Sequence, residues 1–557
     1  MNNRQLPPIP KMYLAQIEGR CSLQYTAEDA NRQQWLKEWV DPKQDGTPYQ
    51  HSENKSVDDS KFQVKVKFPW RVFSNSGQDS ILRPVLGKNG IPFIPGSSIK
   101  GLFKRVCNDE QKIRYCGDAD HPGKLRFHGA YPIGNWTAKS TITENDNGQM
   151  VQKTCYLIED LVHPQQKRQI EAEDTTTASA LISFYQPTMI FEFSSADPQI
   201  INNWKEVKIL LDQALQQGLG GKTSTGYGFA SAPNYAESGT ELYKQALHIN
   251  LEGTGVSSKL LSKKPEFRQN MFKAVLRGHV CRLLAGISNS EQLVKNKTDE
   301  LFGSTNAPGK VQIYWENSRQ PSFSLNGRKF NNPTYSIHGN LHISTLPNEL
   351  DFINNVLQFA FIMGGFGKSW RRTAHEIFYQ EYFHQPRKFD IGCHWKCPTY
   401  LDWINVKNSE NLQKFLNSLQ YFCIQYLNIN SVQPLQGWRE SWHPDRVLVY
   451  SNVVSESKIV HLFHEQQFKT VTAVGGRKKI KKTVNGREEE KEVLVPSSVW
   501  HRMLPLPDNK YLEIVTVFHA DRTPWKRQGA DQLKPFIQAI KSELKITSPT
   551  WGNDAKL

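Results

Sequence analysis

The residues best equipped for chemistry lie in one stretch, Gly218 to Phe229, which reads Gly-Leu-Gly-Gly-Lys-Thr-Ser-Thr-Gly-Tyr-Gly-Phe. Glycine lets a backbone turn through positive φ and approach a ligand closely. Consecutive backbone N–H groups beside a lysine and hydroxyls suit a phosphate or a sugar-phosphate chain. Gly220, Gly221, Lys222, Thr223 and Ser224 are therefore candidate contacts to a polyanion. The stretch is not a nucleotide-binding P-loop. Gln216 stands where that motif needs a glycine, and the motif needs a strand before the loop and a helix after it. A second stretch, Ile91 to Arg105, offers a different device. Ser97 or Ser98 can cap a helix whose first-turn N–H groups receive a phosphate, with Lys100, Lys104 and Arg105 on its other faces.

The elements that must position these groups are legible in the apolar spacing. Trp204, Val207, Leu211 and Leu215 predict a helix running into the first loop, and Tyr227 to Ala230 a short strand leaving it. Ile99, Leu102, Phe103 and Val106 give the capped helix an apolar side. Upstream, Phe62, Val64, Val66 and Phe68 alternate with Gln63, Lys65 and Lys67, predicting a half-buried strand with a basic outer face.

Composition sets the class of partner. The chain has 557 residues, enough for two or more domains, and 38% apolar with 22% charged residues suits a globular protein. A formal charge of +15 with 11% aromatic residues favours nucleic acid, which offers phosphates to the cations and bases to the rings. The eight cysteines form no disulfide framework. Cys393, His394 and Cys397 lack a second cysteine pair at zinc spacing, which favours ordinary thiols. Met1 to Pro10 does not read as a signal peptide, and no apolar run is long enough to span a bilayer, so a cytoplasmic protein without a membrane partner is expected.

Ile-Pro-Gly-Ser-Ser-Ile-Lys-Gly, followed far downstream by Gly-Leu-Gly-Gly-Lys-Thr-Ser-Thr-Gly-Tyr-Gly, closely resembles the RAMP superfamily, the RNA-binding subunits of CRISPR effector complexes. Between the two, Tyr115-Cys116-Gly117 and Gly123 to His128 look like the family's Leu-Phe-Gly and its following strand. The resemblance covers residues 60–232 and implies an α+β fold with a ferredoxin-like (RRM-like) core and a thumb hairpin over the guide RNA. Glu159 to Thr188 occupies the thumb's place, with His163, Lys167 and Arg168 as its basic residues, or forms a surface loop.

The pattern recurs. Leu247, Ile249 and Leu251 start a new strand, and Phe267 to Leu284 reads as a helix carrying Lys273, Arg277 and Arg282. Leu301-Phe302-Gly303 and Gly309 to Ile313 repeat the earlier pattern, and Val356 to Ala360 lead into Met363-Gly364-Gly365-Phe366-Gly367-Lys368-Ser369-Trp370-Arg371-Arg372. The second copy lacks the Pro-Gly-Ser-Ser turn, and Thr373 and Ala374 replace its last glycines. Two tandem RAMP-like domains with thumb and hairpin insertions are expected: an extension over 1–60, a first domain over 61–238 and a divergent second over 239–557. Downstream, Asn411 to Leu427 reads as a helix and Thr470 to Val495 as a hairpin turning at Asn485-Gly486. Tyr511 to Phe518 reads as a strand, and Thr547 to Leu557 as a disordered tail.

The resemblance implies a guide-RNA-binding backbone subunit of a type III-like CRISPR effector, partnered by guide RNA, complementary target RNA and other effector subunits. Lys100, Lys104, Lys222, Lys273, Arg277, Lys368, Arg371 and Arg372, with Gly365 in the second loop, are the contacts expected on RNA. Relatives that cut target RNA place an aspartate before the Pro-Gly-Ser-Ser turn. Asp79 is the candidate here, working with a divalent metal such as Mg2+. Leu82 competes for that alignment position, and Asp79 also suits a turn that bonds its own backbone. Two alternatives stay open: a ribonuclease that processes guide precursors, and a purely architectural RNA-binding subunit.

Overall fold

The computed structural model describes residues 50–51, 58–74, 85–87, 91–146, 149–162, 170, 179–233, 245–260, 262–304, 307–324, 333–384, 390–484, 487–555 and 557. The chain divides into two compact units. The first comprises Met1–Pro164, Thr176–Lys244 and Lys259–Lys264, and the second Gln165–Thr175, Gln245–Ser258 and Pro265–Leu557. Each is a mixed fold of helices packed on sheets. Among the described residues no helix is long and apolar enough to cross a membrane.

The first unit follows the predicted order: β1 (Lys61–Lys67), α1 (Gly96–Val106), β2 (Leu125–Ile133), a hairpin of β3 (Lys139–Asp146) and β4 (Gln149–Tyr156), β5 (Thr188–Ser195) and α2 (Trp204–Leu215). β5 lies between β1 and β2, antiparallel to both. Period-2 alternation sends Val64 of β1 and Met189, Phe191 and Phe193 of β5 into one core with Ile99, Leu102 and Phe103 of α1 and Val207, Leu211 and Leu215 of α2. Lys61, Gln63, Lys65 and Lys67 occupy the alternate positions of β1.

Several local expectations change. α1 begins at Gly96 with Pro95 as its N-cap and no side-chain cap, so Ser97 and Ser98 lie in its first turn. Gly96 sets that start, because a Cβ there would stand 1.9 Å from the Phe127 carbonyl oxygen. Tyr227 to Ala230 form no strand; they turn back so that Leu219 N–H donates to Gly228 O at 2.8 Å. The long hairpin between β2 and β5 is β3–β4, upstream of the stretch expected to form the thumb. Within that stretch Glu159–Val162 and Ser179–Ile182 pair as short strands, and His163, Lys167 and Arg168 lie outside the described residues.

The second unit opens with β6 (Gln245–Val256), α3 (Asn270–Ala285), α4 (Glu291–Phe302), β7 (Gln312–Asn317), β8 (Thr334–Thr345), α5 (Pro347–Met363) and β9 (Cys393–Lys396). Its sheet runs β7-β8-β6-β9. In both units the first strand neighbours the third and the second strand flanks the third. One glycine pair recurs as well. Gly117 (φ 75°) and Gly303 (φ 82°) each close a helical turn, and a Cβ on either would meet the N of a second glycine, Gly123 at 2.3 Å or Gly309 at 2.8 Å.

α6 (Ser409–Leu427) follows, then β10 (Val447–Val454), a hairpin of β11 (Arg477–Val484) and β12 (Arg487–Leu494), β13 (Val499–Pro505), β14 (Tyr511–Phe518) and α7 (Leu533–Leu544). The β11–β12 register places Lys481 opposite Glu490 and Lys482 opposite Glu489. β10, β14 and β13 form a sheet whose core includes Val515, Trp525 and Phe536. The C-terminal segment is built into the fold rather than loose. Trp551 is buried, stacks on Trp442 at 5.4 Å, donates from its indole to Asn417 at 3.0 Å and bridges to Val449.

Candidate nucleic-acid interface

The segment Arg71–Ser74, just beyond β1, joins the two motifs of the first unit. Phe73 O accepts from Gly221 N–H at 2.7 Å, and Arg71 O accepts from Gly228 N–H at 3.1 Å. From the other side Ser74 Oγ donates to Phe93 O, three residues before α1, at 3.2 Å. The Gly-rich loop and the α1 N-terminus are thus held by four consecutive residues. Two of the glycines serve that backbone packing. At Gly220 (φ 78°) a Cβ would stand 2.1 Å from Phe73 O, and at Gly228 (φ 79°) 2.1 Å from Leu219 O.

Lys222 heads the loop. Its φ of 60° and ψ of 25° are left-handed, a conformation costing a non-glycine residue roughly 1–2 kcal/mol. It introduces the tight turn Thr223–Thr225, closed by Thr225 Oγ1 donating to Lys222 O at 2.6 Å. The side chain is exposed, with Nζ 4.6 Å from the centroid of the Phe73 ring. Gly220 is exposed, and Gly221, Thr223 and Ser224 are partly so. On α1, Ser97, Ser98, Lys104 and Arg105 are exposed and Lys100 is half-buried. Behind them a hydrogen bond with Cys107 holds the buried Cys116 thiol below its usual pKa, and Lys100 and Lys104 add in the same sense. The first unit therefore brings these candidate contacts onto two neighbouring devices. Asp79 lies outside the described residues.

The second loop is different. Arg371 is buried and forms a two-pronged pair with Glu440, at 2.6 and 2.9 Å, while also donating to Ser497 O. Arg372 donates to the carbonyls of Val499 and Val474 and lies 4.4 Å over Phe463. Burial, and then Arg371 beside it, lower its pKa to about 9. Gly365 (φ 105°) is buried, and a Cβ there would stand 2.6 Å from Trp395. Arg277 ties α3 to α4 through Asp299 and Gly303 O. Lys273 is buried, and desolvation followed by Arg277 lowers its pKa to about 8. Lys368 alone of this group is exposed. Arg371, Arg372 and Arg277 are thus corrected from expected RNA contacts to interior or inter-helix contacts, because their partners lie within the unit, and Lys273 and Gly365 are corrected because they are buried.

Two features escaped the sequence reading. Phe73 and Ser74, which receive both motifs, carry no periodic signal of their own. The β3–β4 hairpin does carry one: in the sequence the turn-forming pair Asn147-Gly148 stands between its two strands of eight residues each.

Residues 69–231 match the family model described as the RAMP superfamily. No curated protein sequence matches the chain. Among solved structures, Cmr1 from Pyrococcus furiosus in its apo form is similar at 13% identity and a TM-score of 0.35, over 55% of this chain and 99% of that one. A chain of the type III-B Cmr-beta complex bound to cognate target RNA and AMPPnP is similar at 10% identity and a TM-score of 0.32, over 54% and 98%. Cmr6 from Pyrococcus furiosus is similar at 18% identity and a TM-score of 0.19, over 30% and 96%. The matched segment holds the Arg71–Ser74 junction, α1 and the Gly-rich loop, so the similarity to the RAMP superfamily falls on residues 69–231.

Proposed function

We propose that the chain is a guide-RNA-binding backbone subunit of a type III-like CRISPR effector complex, and that its first unit grips the RNA backbone. The observation that carries this reading is the convergence of the Gly-rich loop and the α1 N-terminus on Phe73 and Ser74. Lys222 and the exposed Ser97 and Ser98 lie at that junction, and Lys104 and Arg105 extend the basic surface to the last turn of α1. A strand held this way is recognised by its phosphates, leaving the bases to pair with a target.

The reading extends to a tandem architecture. The β7-β8-β6-β9 order, with α3 and α5 in the crossovers, is that of a ferredoxin-like sheet, and the first unit shares its first three positions. The second unit then serves mainly as scaffold, since Arg371 and Arg372 of its loop are engaged internally. Partner subunits and a complementary target RNA belong to the same proposal. Cleavage by Asp79 with Mg2+ is a separate claim, and loss of Mg2+-dependent target cutting on Asp79→Ala, with guide binding intact, is its test.

Binding is tested by fluorescence anisotropy with a labelled single-stranded guide-like RNA at several salt concentrations. Lys222→Glu combined with Lys104→Glu should weaken binding at least tenfold. It should also flatten the slope of log K against log salt by about 0.7 per lost phosphate contact. Lys414→Glu, on the exposed side of α6, should change neither. Unchanged affinity in the double variant refutes the proposal.

A further inference from the structure

The face of the first sheet turned away from α1 and α2 is not accounted for by the Gly-rich loop. Across it the register lines up Lys65, Ile190 and Tyr131 in one row, and Lys61, Ser194 and Arg126 in another. Lys65, Lys67, Arg126 and His128 are exposed there. Such a surface complements a polyanion, and Tyr131 supplies a ring for stacking. It also continues from the site described above. Tyr131 stacks on Phe93 at 5.3 Å, and Phe93 O is the acceptor for Ser74.

A ring already sits on Tyr131. The imidazole of His51, from the segment preceding β1, stacks on it at 3.9 Å with 5° between the planes. His51 Nε2 lies 2.9 Å from Glu192 Oε1, which also accepts from Gln63 Nε2 at 2.7 Å. A flat heterocycle stacked on tyrosine and bonded at its edge to a carboxylate makes the contacts a nucleobase makes in a single-strand site. The carboxylate accepts, so it favours a base with an exocyclic amino group, as cytosine N4 presents.

We infer that this face is a second single-stranded RNA site, in which a base bearing an amino group stacks on Tyr131 in the place held here by His51. His51 acts as an internal stand-in that the RNA displaces, and Lys65, Lys67 and Arg126 take the flanking phosphates. The inference rests on the reading of the chain as an RNA binder, and its test is built to fail separately from that reading.

The full chain carrying Lys222→Glu and Lys104→Glu silences the loop, and a labelled ten-nucleotide oligocytidine probes what remains. Adding His51→Ala should tighten that residual binding severalfold, oligouridine should bind more weakly, and photocross-links should map to β2. Adding Tyr131→Ala should remove the gain. Lys67→Glu with Arg126→Glu, which alters only exposed positions, should do the same with an unchanged melting temperature. Unaltered or weaker binding on His51→Ala makes His51 a mere anchor of the N-terminal segment and overturns the inference. Polyglutamate binding as tightly as oligocytidine assigns the face to an acidic protein and also overturns it. Guide binding through the loop with no cross-link on β2 refutes this inference alone, whereas a chain that binds no RNA refutes both.

Discussion

Glu440 accepts from three guanidinium groups while fully buried: Arg282 at 2.7 Å, Arg371 at 2.6 and 2.9 Å, and Arg439 at 3.1 Å. Burial alone would push its pKa up, yet Arg371, Arg282 and Arg439 together hold it down to about 2. A buried pair of this kind is costly to break from one side, because the remaining charges stay in the interior. Glu440→Gln should therefore lower unfolding stability by about 3–5 kcal/mol in a denaturant titration, without weakening RNA binding by the folded protein. This cluster explains why Arg371 and Lys222, in similar Gly-rich loops, meet different fates. Lys222 is followed by Thr223, Ser224 and Thr225, and the sequence already reads as an open loop. Arg371 follows Trp370, which packs against His279 and Trp500 at 5.0 and 4.8 Å. That aromatic neighbour was a local hint of an interior position. The deciding partner, Glu440, is too distant in sequence for local spacing to reveal.

Elements built on amphipathic spacing were legible, and those built on a single backbone contact were not. α2 and β1 announce themselves through Val207, Leu211 and Leu215 and through Val64 and Val66, because burial of one face leaves a period in the sequence. The start of α1 and the turn after Thr225 depend instead on carbonyls of other segments, Phe127 O and Leu219 O, which no local pattern encodes. The glycines record those contacts without naming them. This makes two alanine substitutions diverge in sign. Gly220→Ala meets Phe73 O at 2.1 Å in a left-handed conformation and should cost about 2 kcal/mol or more. Gly101→Ala, inside α1 with nothing within 4 Å, should stabilise by about 0.5–1 kcal/mol. Urea unfolding of both variants checks the pair, and equal effects would mean that the loop relaxes away from Phe73.

At the scale of the whole molecule, the two units should answer acid differently. All the described histidines held below their ordinary pKa lie in the second unit. Burial is the leading cause at each, lowering His375 to about 3, His394 to about 2 and His519 to about 4, with His279 well below 6.5 and His342 lowered as well. As pH falls below 6.5 the unfolded chain takes up these protons first, so the folded second unit loses stability from there down to each folded value. Each fully depressed group contributes up to about 1.4 kcal/mol per pH unit. In the first unit the displaced acids are Asp58, Asp118 and Asp197. Their pKa values are lowered chiefly by hydrogen bonds from Ser60, the His121 backbone and Lys124 respectively. Depressed carboxylates stabilise above their unfolded pKa near 3.8 and release that contribution only as pH falls through the folded values. Glu440 and Glu513, in the second unit, likewise act below 4.5. Between pH 6.5 and 4.5 the second unit should therefore weaken while the first holds. Calorimetry across that window should show one transition falling by several degrees and one nearly fixed. The fixed transition is identified as the one that Gly220→Ala lowers. His394→Leu, which removes a ring whose two nitrogens have no partner in its buried setting, should shrink the moving transition's dependence on pH. Transitions that fall together, or a His394→Leu chain with the same acid slope, would locate the acid sensitivity elsewhere than in these buried rings.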